Sequence, residues 1–558
     1  MKFTLGVCLL SLVAKTTLAQ SVIVDSSPPS GSKTAPPAFI GFACEWFAIN
    51  RFTLAKPYAN PVPETSVLSP VSVNAVLNLR AISKSSSKTI IRIGGNSARD
   101  MFWVPSLAGP FSTQRHLTDE VDVVQLQYLE LFANLTNSAY MINIGTRFPN
   151  PREWYTEEFL AALKEHVSPG NIHSIEIGNE PDHFVKKDVR SPDWGYDDFL
   201  AEFRAYQEVV SEYFPLVPQA GPSYAFPWRD QGLNERFIRD VGSSVRYNTI
   251  HRYDLMGCNP SSTIDELMTR PEADLSTYDF FVRARDEAAQ YGMQVVWNEA
   301  GTASCGGLPG ISDAFGSALW ATDAAMSAAY LQLRDIQFSG MPQALYGPLT
   351  FNPQDGWTIE ATYYGMLAFA LAIPGDNTEI YQYSSSNDYK VWGGWNAEER
   401  INTVTIINKR RNGGTVNVNI DVPSGYYVKR ISLEAPGGLD AASGWTLAGL
   451  YFDVDTAKFQ GEYTDEDFEV DSGSVTVSVQ EESLSIVFIS AEPMGNVMLP
   501  ALEETVSANE NGDLAGEFEG EVFTPTTGLP DPGSKFLGSA TRTESICLLA
   551  LFAGLFFL

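Results

Sequence analysis

The chain has few cysteines, few histidines and a shortage of basic residues. Its 558 residues include five cysteines and five histidines, and 37 Lys and Arg face 67 Asp and Glu, giving a net charge of −30. Five cysteines are too few for a scaffold built on disulfides. The shortage of basic residues argues against nucleic acid as a partner, because phosphate binding needs clustered Lys and Arg.

Motifs for metals, nucleotides and serine hydrolases are also missing. The sequence contains no His-Glu-x-x-His, no Cys-x-x-Cys, no P-loop, no dinucleotide fingerprint and no Gly-x-Ser-x-Gly elbow. We therefore expect no metal and no cofactor. What is present is a chain with 44% apolar and 19% charged residues, which can bury a sizeable core and is not globally disordered.

Both ends carry processing signals. Residues 1–19 combine Lys2, an apolar stretch and a small-residue site ending at Ala19, which predicts a secretory signal peptide. The tail 546–558 is uncharged and apolar but shorter than a membrane span, and it follows a polar stretch with small residues, which indicates a GPI-attachment signal. A tail-anchored helix is the alternative, but it conflicts with the secretory signal. We expect an extracellular protein with a lipid anchor.

Processing leaves an odd number of cysteines. Removal of both ends leaves Cys44, Cys258 and Cys305, so one disulfide and one free thiol are expected in an oxidising compartment. The sequence Asn134-Leu135-Thr136 is a candidate glycosylation site late in a predicted helix.

Residues 36–375 alternate between short β-rich runs and helical patterns. Eight strands alternating with eight helices predict a (β/α)8 barrel, with a doubly wound open sheet as the alternative. The predicted strands are 38–46, 89–95, 140–146, 174–179, 219–222, 247–253, 294–299 and 343–346. The predicted helices are 71–83, 122–137, 156–167, 196–214, 234–241, 275–291, 312–336 and 359–373.

The pattern changes to a period of two over residues 376–495, with Gly-rich turns between the runs, and this predicts a β-sandwich of about eight strands. The segment 20–35 can add a strand to it. Residues 496–545 are rich in Glu, Gly, Thr and Pro and predict a flexible acidic stalk that leads to the anchor.

Two of the predicted barrel strands end in a glutamate. Glu180 follows the fourth strand within Asn179-Glu180-Pro181, and Glu299 closes the seventh, an apolar run. The chemistry of such barrels lies at the carboxyl ends of the strands, where these two side chains can face each other. Carboxylates about 5 Å apart are the pair of a retaining glycosidase, one the nucleophile and one the acid/base. The acid needs a raised pKa, which burial and its neighbour can supply.

The Asn179-Glu180-Pro181 motif with a glutamate on strand seven resembles the large clan of (β/α)8 retaining glycosidases. The resemblance implies that Glu180 is the acid/base and Glu299 the nucleophile. The stretches 92–100, 175–182 and 251–253, the seventh strand and the small sandwich resemble glycoside hydrolase family 79, the β-glucuronidases and heparanases, above all the secreted fungal β-glucuronidases. The resemblance covers roughly residues 25–495.

Further site residues follow from the strand ends and from this resemblance. Asn179 can hydrogen-bond the 2-hydroxyl of the sugar, and Tyr253 can hold the nucleophile. The resemblance implies that the glucuronate carboxylate is bound by the loop around Gly306 and by Tyr346, since that loop has no Lys or Arg. The other candidates for sugar contacts, each with a structural role as an equal alternative, are Glu45, Asn96 and His251. Arg92 is expected to brace the barrel or the nucleophile.

Cys258 and Cys305 lie just beyond strands six and seven, which are neighbours in a barrel, so a disulfide between them is possible and would leave Cys44 free.

The resulting hypothesis is a retaining exo-β-glucuronidase that releases terminal glucuronic acid, 4-O-methylated or not, from a glycan or a small glucuronide. Three alternatives stay open: a heparanase-like endo-enzyme, a relative that cleaves a neutral sugar, and an anchored wall protein that binds glycan without cutting it. The oligomeric state is not predicted.

Overall fold

Eight parallel strands close into a barrel, and two antiparallel sheets follow it. The computed structural model of the chain describes residues 18–23, 28–53, 68–100, 102–104, 120–153, 155–342, 344–352, 355–411, 414–470, 473–497, 507–508 and 514–515. Most of the predicted signal peptide, most of the predicted stalk and the whole predicted tail 546–558 lie outside these residues.

The closed barrel confirms the predicted fold class. Its strands run β6-β7-β8-β1-β2-β3-β4-β5 around the ring. Their bounds are β1 Ile40–Glu45, β2 Thr89–Gly94, β3 Ser138–Ile144, β4 Ile172–Ile177, β5 Gln219–Tyr224, β6 Tyr247–Leu255, β7 Gln294–Ala303 and β8 Ile336–Met341.

Eight long helices surround the barrel, and each follows one barrel strand in the chain. They are α1 Pro70–Ser83, α2 Val123–Thr136, α3 Thr156–His166, α4 Tyr196–Tyr213, α5 Leu233–Val241, α6 Asp279–Ala289, α7 Gly316–Tyr330 and α8 Ala361–Ala372. Short helical turns lie at Trp46–Ala48, Ile49–Thr53, Asn96–Asp100, Pro151–Glu153, Pro169–Asn171, Pro181–His183, Pro227–Asp230, Gly242–Ser244, Ile264–Met268, Ser276–Tyr278 and Gly438–Asp440.

Local sequence explains the helix positions. Asp122 caps α2 by accepting the amide of Gln125, whose side chain accepts the amide of Asp122 in return. On α4 the apolar side chains Phe199, Phe203 and Val210 recur at helical spacing and are buried against the barrel. Among the described residues no helix has the length and apolar character needed to cross a bilayer.

The predicted eighth strand at 343–346 is wrong. Helix α7 ends at Tyr330, short of the predicted 336, because Gln332 takes a left-handed conformation with φ of 62°. The chain then enters β8 at Ile336, whose amide donates to the Phe39 carbonyl. Residues 344–347 form a turn beyond the strand. The apolar residues of β8 follow those of helix α7 so closely in the sequence that the predicted helix runs on to residue 336, where β8 begins.

The second domain consists of a large and a small sheet. Its longer strands are β9 Glu379–Ser385, β10 Tyr389–Asn396, β11 Ile401–Asn408, β12 Val416–Asp421, β13 Tyr427–Glu434, β14 Ser474–Val479 and β15 Ser483–Ser490. The large sheet runs β9-β10-β11-β15-β13, and its edges are extended by Lys33–Thr34, Thr446–Leu447, Leu450–Phe452, Phe459–Gly461 and Glu466–Phe468. Outside the barrel and these two sheets, the described residues form three separate two-stranded sheets. They are Phe102–Val104 with Glu120–Asp122, Leu349–Asn352 with Gly356–Ile359, and Ser507–Ala508 with Leu514–Ala515.

The small sheet contains the start of the chain. The strand Leu18–Ile23 pairs in parallel with β12, and β14 pairs with β12 on its other edge. Cleavage after Ala19 would leave residues 20–23 of that strand. Valines and isoleucines of β12 and β14 pack against the inner face of the large sheet, and together they form a separate apolar core.

A buried charge cluster joins the two domains. Asp323 on α7 pairs with Lys390 of β10 at 3.1 Å and with Lys409 just beyond β11, and all three side chains are fully buried. The two ammonium groups also donate to carbonyls of the loop 270–272, which follows β6. Burial lowers the pKa of Lys390 to about 8, although the Asp323 charge opposes that shift. One carboxylate therefore compensates two buried cations.

We expect Asp323→Ala to lower the free energy of unfolding by about 3–5 kcal/mol, because it leaves two buried ammonium groups without a carboxylate. Denaturation in urea measures the change. Asp197→Ala, which removes an exposed partner of Arg236, is the control and should have little effect. Equal stability of the two variants would show that the cluster is not under electrostatic constraint.

Candidate active site

Two glutamates face each other at the carboxyl end of the barrel. Glu180 follows β4 in a left-handed conformation, with φ of 46°, and its amide donates to the Ser223 carbonyl at 3.0 Å. Glu299 lies in β7 beside a bulge that shifts its register against β6 at His251. One oxygen of each glutamate and one ring nitrogen of His251 all lie within 4.8 Å of one another. This spacing suits a nucleophile and an acid/base that act on one bond.

The Arg92 guanidinium connects three side chains beneath this site. It is buried and donates to Glu299 Oε1 at 2.6 Å, to Glu176 Oε2 at 2.7 Å and to Asn179 Oδ1 at 2.7 Å. A planar guanidinium can serve three acceptors at fixed angles. Arg92 therefore orients the candidate nucleophile and the asparagine that precedes the candidate acid.

Glu176 is the buried counter-ion that our sequence interpretation missed. Besides Arg92, it accepts hydrogen bonds from Asn143 at 2.9 Å, Asn298 at 2.6 Å and the Ser223 hydroxyl at 2.5 Å. All four strand-borne donors converge on one fully buried carboxylate. The signal was available, since a charged residue inside the apolar run of β4 and an arginine inside that of β2 need each other.

Tyr253 and Tyr346 lie beside Glu299, on the side of its Oε2 atom. The Tyr253 hydroxyl donates to Glu299 Oε2 at 2.9 Å and lies 3.5 Å from the Tyr346 hydroxyl. Burial, and then the Glu299 charge, raise the pKa of Tyr253 well above its ordinary value. Tyr253 is thus a neutral donor that orients the Glu299 carboxylate. Gly301 makes room for both rings, because a Cβ there would lie 2.6 Å from Tyr253 and 3.1 Å from Tyr346.

His251 lies between the two glutamates. Its Nδ1 is 3.4 Å from Glu180 Oε1 and 3.3 Å from Glu299 Oε2. Its buried Nε2 has no hydrogen-bond partner among the described residues. The three side chains are close enough to hold a metal ion. However, both carboxylates already pair with cations, Arg92 and Lys187, which oppose a metal at this point.

Glu180 differs from the expectation of a raised pKa. Burial raises the pKa of Glu180, but the hydrogen bond to His251 and the charge of Lys187 lower it by more. The pKa of Glu180 therefore lies below its ordinary value. Lys187 Nζ is 3.0 Å from Glu180 Oε2. The expectation considered burial and the neighbouring carboxylate only, and it overlooked this lysine on the turn after Glu180. In the free protein Glu180 is therefore ionised.

Glu45 and Asn96 are tied to the loop after β2. Glu45 accepts the amides of Asn96 at 3.0 Å and Ser97 at 2.8 Å, so both of its oxygens are engaged within the protein. Burial, and then the charge of Glu299, raise the pKa of Glu45 to about 7. The Asn96 side chain is exposed and accepts from Lys187 at 2.7 Å. Sugar contacts by these two residues stay predictions.

The loop after β7 is fastened by a disulfide. Cys258 and Cys305 are joined, with their Cα atoms 5.6 Å apart, and Cys44 is a buried free thiol. The amide of Gly307 donates to the Ser304 carbonyl at 3.2 Å, so in this loop around Gly306 the Gly307 amide is already used within the protein. The carbonyl of Gly306 accepts the amide of Leu345, which links this loop to the turn that carries Tyr346.

Asn134 lies on the exposed face of α2, where its side chain contacts Glu130 and Asn171. Its glycosylation stays a prediction.

The chain is similar to known proteins in sequence and in fold. No family model matches the chain. A β-glucuronidase of Neurospora crassa is 24% identical over 413 residues, which cover 66% of this chain and 69% of that protein. A 4-O-α-L-rhamnosyl-β-D-glucuronidase of Fusarium oxysporum superposes with a TM-score of 0.67 at 20% identity, over 84% of this chain and 99% of the other. An α-L-arabinofuranosidase of Thermotoga maritima superposes with a TM-score of 0.58 at 13% identity, over 84% and 98%.

The barrel, the paired glutamates at its mouth and these similarities define a glycoside hydrolase. Within that class, the likeness to the two glucuronidases in sequence and in fold confirms the resemblance to β-glucuronidases that the motifs indicate.

We expect Gly301→Ala to impair the site while the fold is kept. The new Cβ clashes with the Tyr253 ring, so the Tyr253 hydroxyl is displaced from Glu299 and activity falls by about 10²-fold or more. Gly170→Ala is the control, because a Cβ there meets nothing within 4 Å. Glycosidase rates and thermal melting of both variants provide the measurement, and full activity of Gly301→Ala would refute the requirement for Tyr253.

Proposed function

We propose that the protein is a retaining exo-β-glucuronidase that releases terminal glucuronic acid. The observation that carries the proposal is the approach of Glu180 and Glu299 within 4.8 Å, with Glu299 held by Arg92 and Tyr253. Such a spacing leaves no room for a water between carboxylate and sugar and favours a covalent intermediate. The choice of glucuronide as substrate rests on the similar β-glucuronidase.

In the first step, an oxygen of Glu299 attacks the anomeric carbon and forms a glycosyl ester. Glu180, once protonated, gives its proton to the glycosidic oxygen as that bond breaks. Arg92 and Tyr253 donate hydrogen bonds to Glu299, which orient the nucleophile toward the anomeric carbon.

In the second step, Glu180 acts as a base. It removes a proton from a water molecule, and that water attacks the anomeric carbon and displaces Glu299. The product keeps the β configuration, because each step inverts it once.

Recognition of the sugar draws on donors that the protein leaves unused. The Nδ2 of Asn179 is buried and has no acceptor among the described residues, while its Oδ1 is fixed by Arg92. This donor supports the predicted contact to the 2-hydroxyl. The Gly306 amide and the Tyr346 hydroxyl support binding of the glucuronate carboxylate beyond β7 and β8.

We expect Glu299→Gln to abolish hydrolysis of an aryl β-D-glucuronide, with a loss of 10³-fold or more, because the amide is not a nucleophile. Glu180→Ala should lose most activity on substrates with a poor leaving group, by about 10²–10⁴-fold, and less on activated aryl glucuronides. Rates with matching glucosides and xylosides, and the anomer released, complete the measurement.

Each alternative gives its own result. Hydrolysis of the glucoside or xyloside alone would retain the two glutamates and reject glucuronate. Cleavage of an internal linkage in a glucuronan, with no activity on aryl glucuronides, would indicate an endo-enzyme. Tight glycan binding with no hydrolysis would indicate a binding protein.

We also propose that the protein is secreted and lipid-anchored, on the basis of residues 1–19 and 546–558. The full chain should then remain with the cell surface and be released by a phospholipase C specific for phosphatidylinositol. A chain that ends at residue 530 is the control and should appear in the medium. Equal amounts of both chains in the medium would refute the anchor.

A further inference from the structure

Lys187 brings a positive charge to the outer side of Glu180 in a strongly acidic protein. Its Nζ contacts Glu180 Oε2, whereas His251 contacts Oε1. Lys187 and His251 thus contact different oxygens of the Glu180 carboxylate. About one third of its side chain is exposed, so a bound molecule can reach the ammonium group.

The carboxylate of the glucuronate itself is not the group that meets Lys187. In the proposed function that carboxylate lies beside Tyr346 and Gly306, beyond β7 and β8. The strand order places β8 opposite β4, which leads into the turn that carries Glu180 and Lys187. An anion at Lys187 therefore belongs to another part of the substrate. Since Glu180 is the acid that meets the glycosidic oxygen, that part is the leaving group.

An aromatic surface lies next to the same turn. The His183 ring packs edge-on against Phe226, with centroids 5.5 Å apart, and Phe226 is 46% exposed. Asp182 accepts the amides of Ala225 and Phe226 at 3.2 Å and 3.1 Å, which fixes the loop after β5 to the turn after Glu180. An exposed ring held rigidly beside a catalytic acid is suited to stacking on a sugar or an aryl group.

We propose that Lys187, together with the His183–Phe226 pair, forms a subsite for a leaving group that carries both a ring and an anion, either a uronic acid or an aromatic carboxylate. This inference rests on the proposed function and extends it to the leaving side of the bond. When the substrate's anion pairs with Lys187, Glu180 loses a cation that holds it ionised. The acid is then protonated more readily in the complex than in the free protein.

The charged groups around Glu180 set the direction of its pH response. Lys187, His251 and His183 favour the ionised form, and Asp182 and Glu299 oppose it. Glycosidic cleavage needs protonated Glu180, so activity falls as the pH rises through its pKa. Lys187→Met removes a cation and raises that pKa, which moves the alkaline limb of kcat/KM to higher pH for a neutral leaving group.

The experiment compares phenyl β-D-glucuronide with 3-carboxyphenyl β-D-glucuronide, whose leaving groups have similar basicity. A second comparison uses disaccharides in which glucuronate is linked to a uronic acid or to the corresponding neutral sugar. For wild type we expect kcat/KM about tenfold higher on the anionic member of at least one comparison. The comparison that shows the preference distinguishes an aromatic carboxylate from a uronic acid. Lys187→Met should abolish the preference and Lys187→Arg should restore much of it.

Lys186→Met is the matched control, because Lys186 is exposed on the same turn and has no ion pair within the described part of the chain. It should keep both the preference and the pH profile. Hydrolysis of all substrates without preference, with a ratio that Lys187→Met leaves unchanged, would overturn this inference and leave the proposed function intact. Failure of the wild type to hydrolyse any glucuronide would overturn both.

Discussion

The site depends on one buried arginine. Arg92 joins three strands, because β2 supplies its guanidinium and the acceptors lie on or just beyond β4 and β7. A buried guanidinium is costly unless every donor direction is satisfied, and Glu176 supplies the compensating charge from within the barrel. Glu176 is in turn held by amides of β3 and β7 and a hydroxyl of β5. Glu299 is therefore positioned by a network that spans most of the barrel's circumference.

A second buried ion cluster, between α7 and the large sheet, fixes the second domain to the barrel. Asp323 on α7 pairs with two lysines of the second domain, Lys390 and Lys409. Both lysines also donate to backbone carbonyls of the loop that follows β6. Other polar contacts also cross between the domains, such as the hydrogen bond from Asn78 to the Ala457 carbonyl and the exposed Lys84–Glu399 pair. The buried ion cluster differs from these in that it requires one geometry. The loop that leads from the strand of His251 and Tyr253 is thereby kept at a constant distance from the sheet.

The sequence allowed the barrel and the facing pair of glutamates to be predicted, because the carboxyl end of a barrel strand places a residue without knowledge of its partners. Glu180 follows the end of β4, as predicted, whereas β7 continues past its predicted end at Glu299 to Ala303. Strand β8 was misplaced, because the alanine-rich helix α7 ends only a few residues before it and apolar periodicity does not mark where α7 stops. Glu176 and Lys187 were missed for a different reason. Their roles depend on contacts between strands and turns far apart in the chain, and a single sequence gives no distances between them.

The strand Leu18–Ile23 has a consequence for the order of synthesis. Its partner, β12, is among the last parts of the folded body to be made, and β14 later still. The residues of this strand that remain after cleavage of the signal peptide must stay unpaired while the whole barrel is translated. They can pair only when the small sheet forms. Completion of that sheet is thus a contact of very high sequence separation, which is expected to come late in folding. A chain cut short before residue 416 would emerge with its barrel present and its beginning still unattached.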